Sequence, residues 1–166
     1  MKNIQVNTID KVKAINSIIR PFKNCDLDEI YDIIEYHLVH TYSKVYSKEI
    51  IEFYKEYHSL NNILNDSKKG NALILSINNE IIGTGTILNN YINRIFIKSG
   101  YQNQGYGTAI LSELEKLAVF KNKSIKLDVI PGSEGFYIKN GYVIISQAFD
   151  KIDTQYLEYF KMGKQL

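Results

Sequence analysis

The stretch Gly100-Tyr101-Gln102-Asn103-Gln104-Gly105-Tyr106-Gly107-Thr108 decides how this chain of 166 residues is expected to fold. It lies between a predicted strand that ends at Ile97 and the clearest amphipathic helix in the sequence, Gly105 to Phe120. Gly105 and Gly107 have no Cβ, so the backbone can approach a ligand closely there. The first amides of the helix lack internal partners and, with the helix dipole, favour a phosphate or pyrophosphate. The alternative is a plain strand-to-helix turn that contains two glycines.

Two better-known phosphate-binding motifs do not match this loop. The P-loop pattern G-x-x-x-x-G-K-[ST] is absent from the sequence. The third glycine of the dinucleotide-binding pattern G-x-G-x-x-G is replaced by Ile110. The loop therefore predicts a phosphate site outside these two classes, and an unrelated α/β nucleotide-binding module with a convergent G-x-G loop stays open as an alternative.

The hydrophobic pattern on both sides of the loop predicts the order β-α-α-β-β-β-α-β-α-β-β. Strands are predicted at 17–22, 72–77, 81–88, 91–97, 125–129, 142–148 and 156–162, and helices at 27–38, 47–57, 105–120 and 133–139. The late β-α-β-α-β segment implies local parallel pairing, while the hairpins make the other pairs antiparallel. We therefore predict an α+β (mixed α/β) fold, in which helices flank both faces of a mixed, mostly antiparallel sheet.

Length and composition favour one globular domain. Apolar residues make up 45% of the chain and charged residues 23%, so the chain can bury a core and is not expected to be disordered. Residues 1–16 are polar with scattered Ile and Val, and we interpret them as an N-terminal extension, either a short helix or a loose arm. We interpret residues 17–166 as the domain itself.

The charge balance and the single cysteine exclude several classes of protein. A formal net charge of +2 argues against a nucleic-acid partner. Cys25 alone cannot form an internal disulfide or a cysteine zinc cluster. The N-terminus lacks the apolar core of a secretory signal, and no run approaches the ~20 apolar residues of a membrane helix. We therefore expect a cytoplasmic protein with no membrane partner, and the abundance of Ile, Asn, Lys and Tyr is typical of a low-GC bacterial genome.

Two segments carry a family resemblance. Gln102-Asn103-Gln104-Gly105-Tyr106-Gly107 fits the pattern Q/R-x-x-G-x-G/A, and the hydrophobic triplet Ile95-Phe96-Ile97 precedes it. About thirty residues later, Phe136-Tyr137-Ile138-Lys139-Asn140-Gly141-Tyr142 fits F-Y-x-x-x-G-F/Y. Both patterns, at this spacing, resemble the GNAT superfamily of acetyl-CoA-dependent N-acetyltransferases. The resemblance extends from about Ser17 to the C-terminus, and the predicted order of elements is the family's.

The resemblance implies acetyl-CoA as the co-substrate. It assigns the pantetheine arm to the backbone of Ile95, Phe96 and Ile97, where a backbone N–H can also stabilise the thioester oxygen as that oxygen gains charge. It places Gln102 at the position that orders the loop. The amides that would hold the pyrophosphate belong to Asn103, Gln104, Gly105, Tyr106, Gly107 and Thr108.

The resemblance also names two candidate catalytic residues. Tyr137 matches the tyrosine that in many members protonates the leaving thiolate, although a phenol is a weaker acid than a thiol and a hydrogen bond to sulfur would suffice. Asp128 lies where some members have a Glu that acts as the general base. The alternation along the strand places Asp128 on the face opposite to that of Ile125, Leu127 and Val129. The alternative for Tyr137 is an aromatic residue of the core. The alternative for Asp128 is a solvated or helix-facing Asp with no catalytic role. Other members use ordered water, or a Glu on the earlier strand, where this chain has Asn93 and Arg94.

The segment between the first two predicted helices contains the candidate acceptor-binding residues. In this superfamily that region forms the wall of the acceptor pocket. The resemblance therefore implies that His40, Tyr42 and Tyr46 contact the acceptor. His37 and His40 are three residues apart, but no third ligand accompanies them, so no metal site is predicted.

These features together predict an N-acetyltransferase that transfers acetyl from acetyl-CoA directly to a primary amine. The acceptor class is open and includes small molecules and peptides. A catalytically silent acetyl-CoA-binding domain, acting as a sensor or scaffold, is the alternative. The protein is expected to be a monomer or a homodimer.

Overall fold

A computed structural model describes residues 4–5, 17–119 and 123–166. The strands are β1 (Ile4–Gln5), β2 (Ser17–Pro21), β3 (Asn71–Ile77), β4 (Glu80–Leu88), β5 (Tyr91–Ile97), β6 (Ser124–Val129), β7 (Val143–Ile152) and β8 (Gln155–Gln165). The helices are α1 (Leu27–His40), α2 (Lys48–Tyr57), α3 (Leu60–Lys69), α4 (Tyr106–Val119) and α5 (Glu134–Lys139). Within these ranges no helix is long and apolar enough to cross a membrane.

The strands form one sheet in the order β1-β2-β3-β4-β5-β6-β8-β7. Neighbouring strands pair antiparallel except β5 and β6, which are parallel and are connected through α4. The hairpin partner β8 is inserted between β6 and β7, so the late β-α-β units do not add a second parallel pair. The predicted fold class, a mixed and mostly antiparallel sheet with helices, is confirmed.

The strands β5 and β6 separate soon after they meet. They pair only at Tyr91 and Lys126, and the Lys126 N–H donates to the Asn90 carbonyl oxygen at 2.9 Å. On its other edge, β5 shifts register against β4 around Arg94, a non-glycine residue with a φ of 53°. A bulge of this kind increases local twist and bends the strand. The sheet therefore opens between the ends of β5 and β6.

Hydrophobic clusters cover both faces of the sheet. On one face α4 buries Ile110, Leu111 and Leu114 against the strands. On the other face α1 buries Ile30, Ile34 and further residues together with Ile63 of α3. These clusters hold the sheet rigid on both sides of the opening, which is the setting for the functional site.

Four elements differ from the sequence prediction. The helix α3 was not predicted, and β7 and β8 are longer than the predicted 142–148 and 156–162. Most of the predicted extension 1–16 lies outside the described residues, although residues 4–5 form β1 beside β2.

Candidate active site

The loop between β5 and α4 has the backbone of an anion-binding turn. Gly100, Asn103 and Gly105 have positive φ angles of 90°, 59° and 87°. Alternating left-handed and right-handed residues can turn successive N–H groups toward one side, which makes a concave site for an anion. The helix α4 begins at Tyr106, so its unpaired first N–H groups open onto the same loop.

Gly105 and Gly107, the two glycines of the G-x-G pattern, are required for different structural reasons. Gly105 needs its left-handed backbone, and a Cβ there would contact nothing within 4 Å, so the space above it is open to a ligand. At Gly107 a Cβ would lie 3.2 Å from the ring of Phe136. Gly107 therefore lets the first turn of α4 pack closely against α5. The loop can accommodate a phosphate-bearing ligand against bare backbone.

A groove of about 820 Å³ runs along this loop. It lies within the range of typical small-molecule sites, about 300–1,000 Å³. Residues 132–139 contribute to its lining from the α5 side. Seven of the ten cofactor-binding residues predicted from the sequence line it: Ile95, Ile97, Gln102, Asn103, Gly105, Gly107 and Thr108.

The other three predicted cofactor residues shape the loop or the adjoining core. The Gln104 side chain donates to the Gly100 carbonyl oxygen at 2.9 Å, which closes the loop. The Tyr106 side chain is buried in the core beneath α4. The Phe96 side chain is buried on the opposite face, in the cluster around α1. Any contact they make in the groove is through their backbone.

His37 fixes the end of β5. Its Nε2 atom lies 2.8 Å from the Ile97 carbonyl oxygen, which can only accept, so Nε2 is the donor. The other ring nitrogen, Nδ1, lies 3.3 Å from the Thr41 hydroxyl and accepts from it when the ring is neutral. Burial lowers the pKa of His37, which favours the neutral ring. The Ile97 carbonyl is therefore held in place where β5 borders the groove.

Tyr137 lies where the groove meets two further cavities. It lines the groove, a connecting cavity of about 170 Å³, and a cavity of about 220 Å³ between β5, β6, α2 and the β7–β8 hairpin, which we call the inner cavity. Its ring packs edge-to-face against Phe136 and Tyr142, with centroids 4.9 and 5.9 Å away. Burial raises the pKa of Tyr137 to about 12, so its phenol keeps the proton at neutral pH.

Asp128 lines the inner cavity and the connecting cavity together with Tyr137. The strand β6 buries Ile125, Leu127 and Val129 against α4, so the intervening Asp128 faces the other side of the sheet, as the alternation predicts. Burial and, after it, the neighbouring Asp128 carboxylate raise the pKa of the Tyr91 phenol. The structure thus brings Asp128 and Tyr137 to the same opening.

The three predicted acceptor-binding residues lie at different depths. Tyr42 lines both the inner and the connecting cavity, and burial raises the pKa of its phenol. Tyr46 lies behind it, with its ring 5.6 Å from that of Tyr54 and its hydroxyl donating to the Glu158 carbonyl oxygen at 2.6 Å. His40 is exposed on α1, stacked on Tyr36 at 4.1 Å, and does not line these cavities.

Buried polar groups line the inner cavity without hydrogen-bond partners among the described residues. They are His58 Nδ1, Asn93 Oδ1 and Arg94 Nε. The other nitrogens of Arg94 are engaged, because one pairs with Asp66 and another donates to the Tyr57 carbonyl oxygen at 3.0 Å. Burial and the nearby Arg94 charge lower the pKa of His58 to about 3.

Sequence reasoning missed His58 and Asp150, which also line the inner cavity. His58 follows α2, and Asp150 lies near the end of β7. Neither belongs to a motif, and only the packing of α2 and the β7–β8 hairpin brings them to the cavity. In the part of the chain that the structure describes, no group of three or more His, Cys, Asp or Glu residues is arranged to hold a metal ion.

The chain belongs to the GNAT acetyltransferase family. The family model described as the acetyltransferase (GNAT) domain matches residues 40–166, which is most of the chain and includes the groove, Asp128 and Tyr137. No curated protein matches the chain significantly.

Solved structures show the same fold at low sequence identity. A GCN5-related N-acetyltransferase from Rhodopseudomonas palustris superposes with a TM-score of 0.81 at 19% identity, covering 98% of both chains. The PaiA N-acetyltransferase from Thermoplasma acidophilum, in complex with coenzyme A, gives 0.72 at 24% identity, covering 90% of this chain and 99% of that one. YncA from Salmonella typhimurium, with its cofactor acetyl-CoA, gives 0.63 at 16% identity and 90% and 94% coverage.

Proposed function

We propose that the protein is an acetyl-CoA-dependent N-acetyltransferase that transfers acetyl directly to a primary amine of a small molecule or peptide. The observation that supports this proposal is the position of Tyr137, which borders both the groove and the inner cavity. Asp128 lines the inner cavity beside it. A thioester in the groove and an amine in the inner cavity would meet at these two side chains.

The groove fits coenzyme A as a substrate. The open backbone of residues 103–108 suits the pyrophosphate, since its N–H groups supply positive partial charge without a charged side chain. The backbone of Ile95 to Ile97 would pair with the pantetheine arm, and an N–H there would stabilise the carbonyl oxygen during attack. Acetyl-CoA supplies the acetyl group and the leaving thiolate.

The transfer needs one base and one donor. An ammonium acceptor first gives a proton to Asp128, and the neutral nitrogen then forms a bond to the thioester carbonyl carbon. The C–S bond breaks and its electron pair leaves with the sulfur. The nitrogen loses a second proton, which neutralises the thiolate, while Tyr137 donates a hydrogen bond to the sulfur. With its pKa near 12, Tyr137 suits hydrogen-bond donation better than complete proton transfer.

His58 is a poor candidate for the base, although histidine is the commonest one in enzymes. Its ring lines the inner cavity but not the connecting cavity, whereas Asp128 lines both together with Tyr137. The carboxylate of Asp128, acting directly or through a water molecule, is the better candidate.

A thiol-release assay tests this function. The purified protein, acetyl-CoA and a panel of primary amines are combined, and free CoA thiol is measured with a chromogenic disulfide. We expect amine-dependent release above the slow hydrolysis without acceptor. Binding of acetyl-CoA without release for any amine would instead indicate a silent binding domain.

We further propose that the protein acts in the cytoplasm as a monomer or a homodimer. Cys25 is exposed and unpaired with another cysteine, which suits a reducing compartment. The edge strand β7 exposes Val143, Ile145 and Phe149, a surface that a second copy could cover. Light scattering over a concentration series distinguishes the two states.

A further inference from the structure

The inner cavity is acidic. Asp128 and Asp150 line it, and the one cationic side chain among its lining residues is Arg94. The Arg94 guanidinium is already paired with the carboxylate of Asp66, so its charge is largely compensated. Lys161 lies outside the lining residues, and its Nζ atom lies 5.9 Å from the Tyr159 ring centroid. The balance of charge favours a cationic occupant.

The walls of the cavity are aromatic. Eight phenylalanine and tyrosine residues line it: Tyr42, Phe53, Tyr54, Tyr57, Tyr91, Phe96, Tyr137 and Tyr159. Faces of aromatic rings attract organic cations, and the attraction grows when water is excluded. Rings also provide apolar surface for a hydrocarbon chain. The lining therefore suits a molecule that carries both methylene groups and ammonium groups.

The helix α2 covers the cavity against the β7–β8 hairpin. Ile50 packs in a cluster with Leu157 and Tyr159, and the Tyr46 hydroxyl donates to the Glu158 carbonyl oxygen across the same contact. The cavity has a volume of about 220 Å³, below the range of about 300–1,000 Å³ that is typical of sites for drug-sized ligands. Its small volume favours a small, slender acceptor over a multi-ring sugar.

The two carboxylates lie at different levels of the cavity. Asp128 is opposite Lys161 on one edge of β8, and Asp150 is opposite Leu157 on the other edge. These levels are four residues apart along β8, which corresponds to about 13 Å at about 3.3 Å per residue. Tyr159 lies between them, because its hydroxyl donates to Asp150 at 3.1 Å while the Asp128 charge also acts on it. Asp128 and Asp150 are therefore attached at separate backbone levels of the cavity.

We propose that the acceptor is an aliphatic diamine or polyamine, with the reacting amine at Asp128 and Tyr137 and a second ammonium group at Asp150. This inference rests on the proposed acetyltransferase function and specifies its substrate class. The methylene chain lies along the rings between the two carboxylates. The unpartnered Asn93 Oδ1 supplies a further acceptor for an N–H of the ligand.

Matched amines test this proposal with the intact protein. The substrates are 1,5-diaminopentane, a linear triamine, and pentylamine, which has the same chain and one amine. We expect kcat/KM for the diamine and the triamine to exceed that for pentylamine by tenfold or more, about the effect of one charged hydrogen-bonded contact. Asp150→Asn should raise the KM for the diamine about tenfold and bring the diamine-to-monoamine ratio toward one. Asp153→Asn, the same change in the neighbouring exposed turn, is the control and should keep the ratio.

Calorimetry gives a second measurement that needs no turnover. The diamine should bind to the CoA-saturated protein more tightly than pentylamine, and Asp150→Asn should remove that difference. Equal kcat/KM for diamine and monoamine, or a ratio unaffected by Asp150→Asn, would overturn the diamine proposal while amine-dependent thiol release still supports the acetyltransferase. If no amine of any class gives release of CoA thiol, both the diamine proposal and the proposed acetyltransferase function are overturned.

Discussion

At the residue scale, the proposed chemistry depends on Tyr137 and Asp128, which come from different elements and line the same cavities at the opening between β5 and β6. Asp128 could be placed from the sequence, because the alternation of Ile125, Leu127 and Val129 fixes its face. Tyr137 could be placed because it belongs to a recognisable segment. His58 could not be predicted, since its cavity position depends on where α2 packs rather than on its neighbours in sequence.

Tyr137→Phe should lower kcat about a hundredfold, the lower end of what one hydrogen-bond donor to developing negative charge contributes. The KM for acetyl-CoA should change little, because the ring and its packing remain. With the Tyr137 pKa near 12, wild-type activity should show no loss from phenol ionisation up to about pH 10. Tyr36→Phe, on an exposed ring of α1, is the matched control. Equal kcat for wild type and Tyr137→Phe would remove the phenol from the mechanism.

His58 should make stability depend on pH in the acid range. Its folded pKa of about 3 lies below the ordinary value of 6.5, so the unfolded chain binds this proton first. The stabilisation is fully present above pH 6.5 and is lost as pH falls toward 3. Between pH 6 and 4, the free energy of unfolding of wild type should fall about 1.4 kcal/mol per pH unit more steeply than that of His58→Gln.

Urea unfolding at several pH values measures these slopes. His40→Gln changes an exposed histidine on α1 and serves as the control, which should follow the wild-type slope. Parallel slopes for wild type and His58→Gln would show that His58 is not buried in its neutral form.

At the element scale, the β5–α4 loop was the most predictable part of the molecule. Its glycines and the strong helix period after it determine the local structure. The helix α3, Leu60–Lys69, was missed because the segment contains few apolar residues, and only Ile63 among them is buried. Its helical state depends on tertiary contacts, including the ion pair between Asp66 and Arg94. A local pattern carries no signal for such a long-range contact.

Gly105→Ala should weaken acetyl-CoA binding about tenfold, since an L residue at a φ of 87° costs about 1–2 kcal/mol and relaxation would turn the loop amides away. Gly141→Ala is a matched control, because Gly141 has a φ of 88° outside the groove. Both variants should lose a similar free energy of unfolding, and only Gly105→Ala should lose affinity by calorimetry. Equal affinities in the two variants would contradict a phosphate role for this loop.

At the scale of the whole molecule, the groove and the inner cavity meet at the opening between β5 and β6, where Ile95 and Tyr137 line both. Clusters around α4 and α1 cover the two faces, while α2 and the β7–β8 hairpin border the inner cavity. The fold class followed from the order of elements in the sequence. The shape of the inner cavity could not be predicted in this way, because it depends on how closely α2 packs against the β7–β8 hairpin.

Acetyl-CoA should stabilise the whole fold. A ligand at one hundred times its Kd adds about 2.7 kcal/mol, which corresponds to a Tm increase of about 5–10 °C for a chain of this length. Differential scanning fluorimetry with acetyl-CoA, CoA and ATP measures this effect. We expect similar shifts for acetyl-CoA and CoA and a smaller one for ATP, which lacks the pantetheine arm. Stabilisation by ATP alone would contradict the assignment of the groove.

The most direct measurement of the central claim is mass spectrometry of the acceptor after incubation with isotopically labelled acetyl-CoA. If the protein is an N-acetyltransferase, the amine gains one labelled acetyl group on nitrogen, free CoA appears in equal amount, and both depend on the enzyme. An unlabelled amine, with acetyl-CoA intact although bound, would contradict the account.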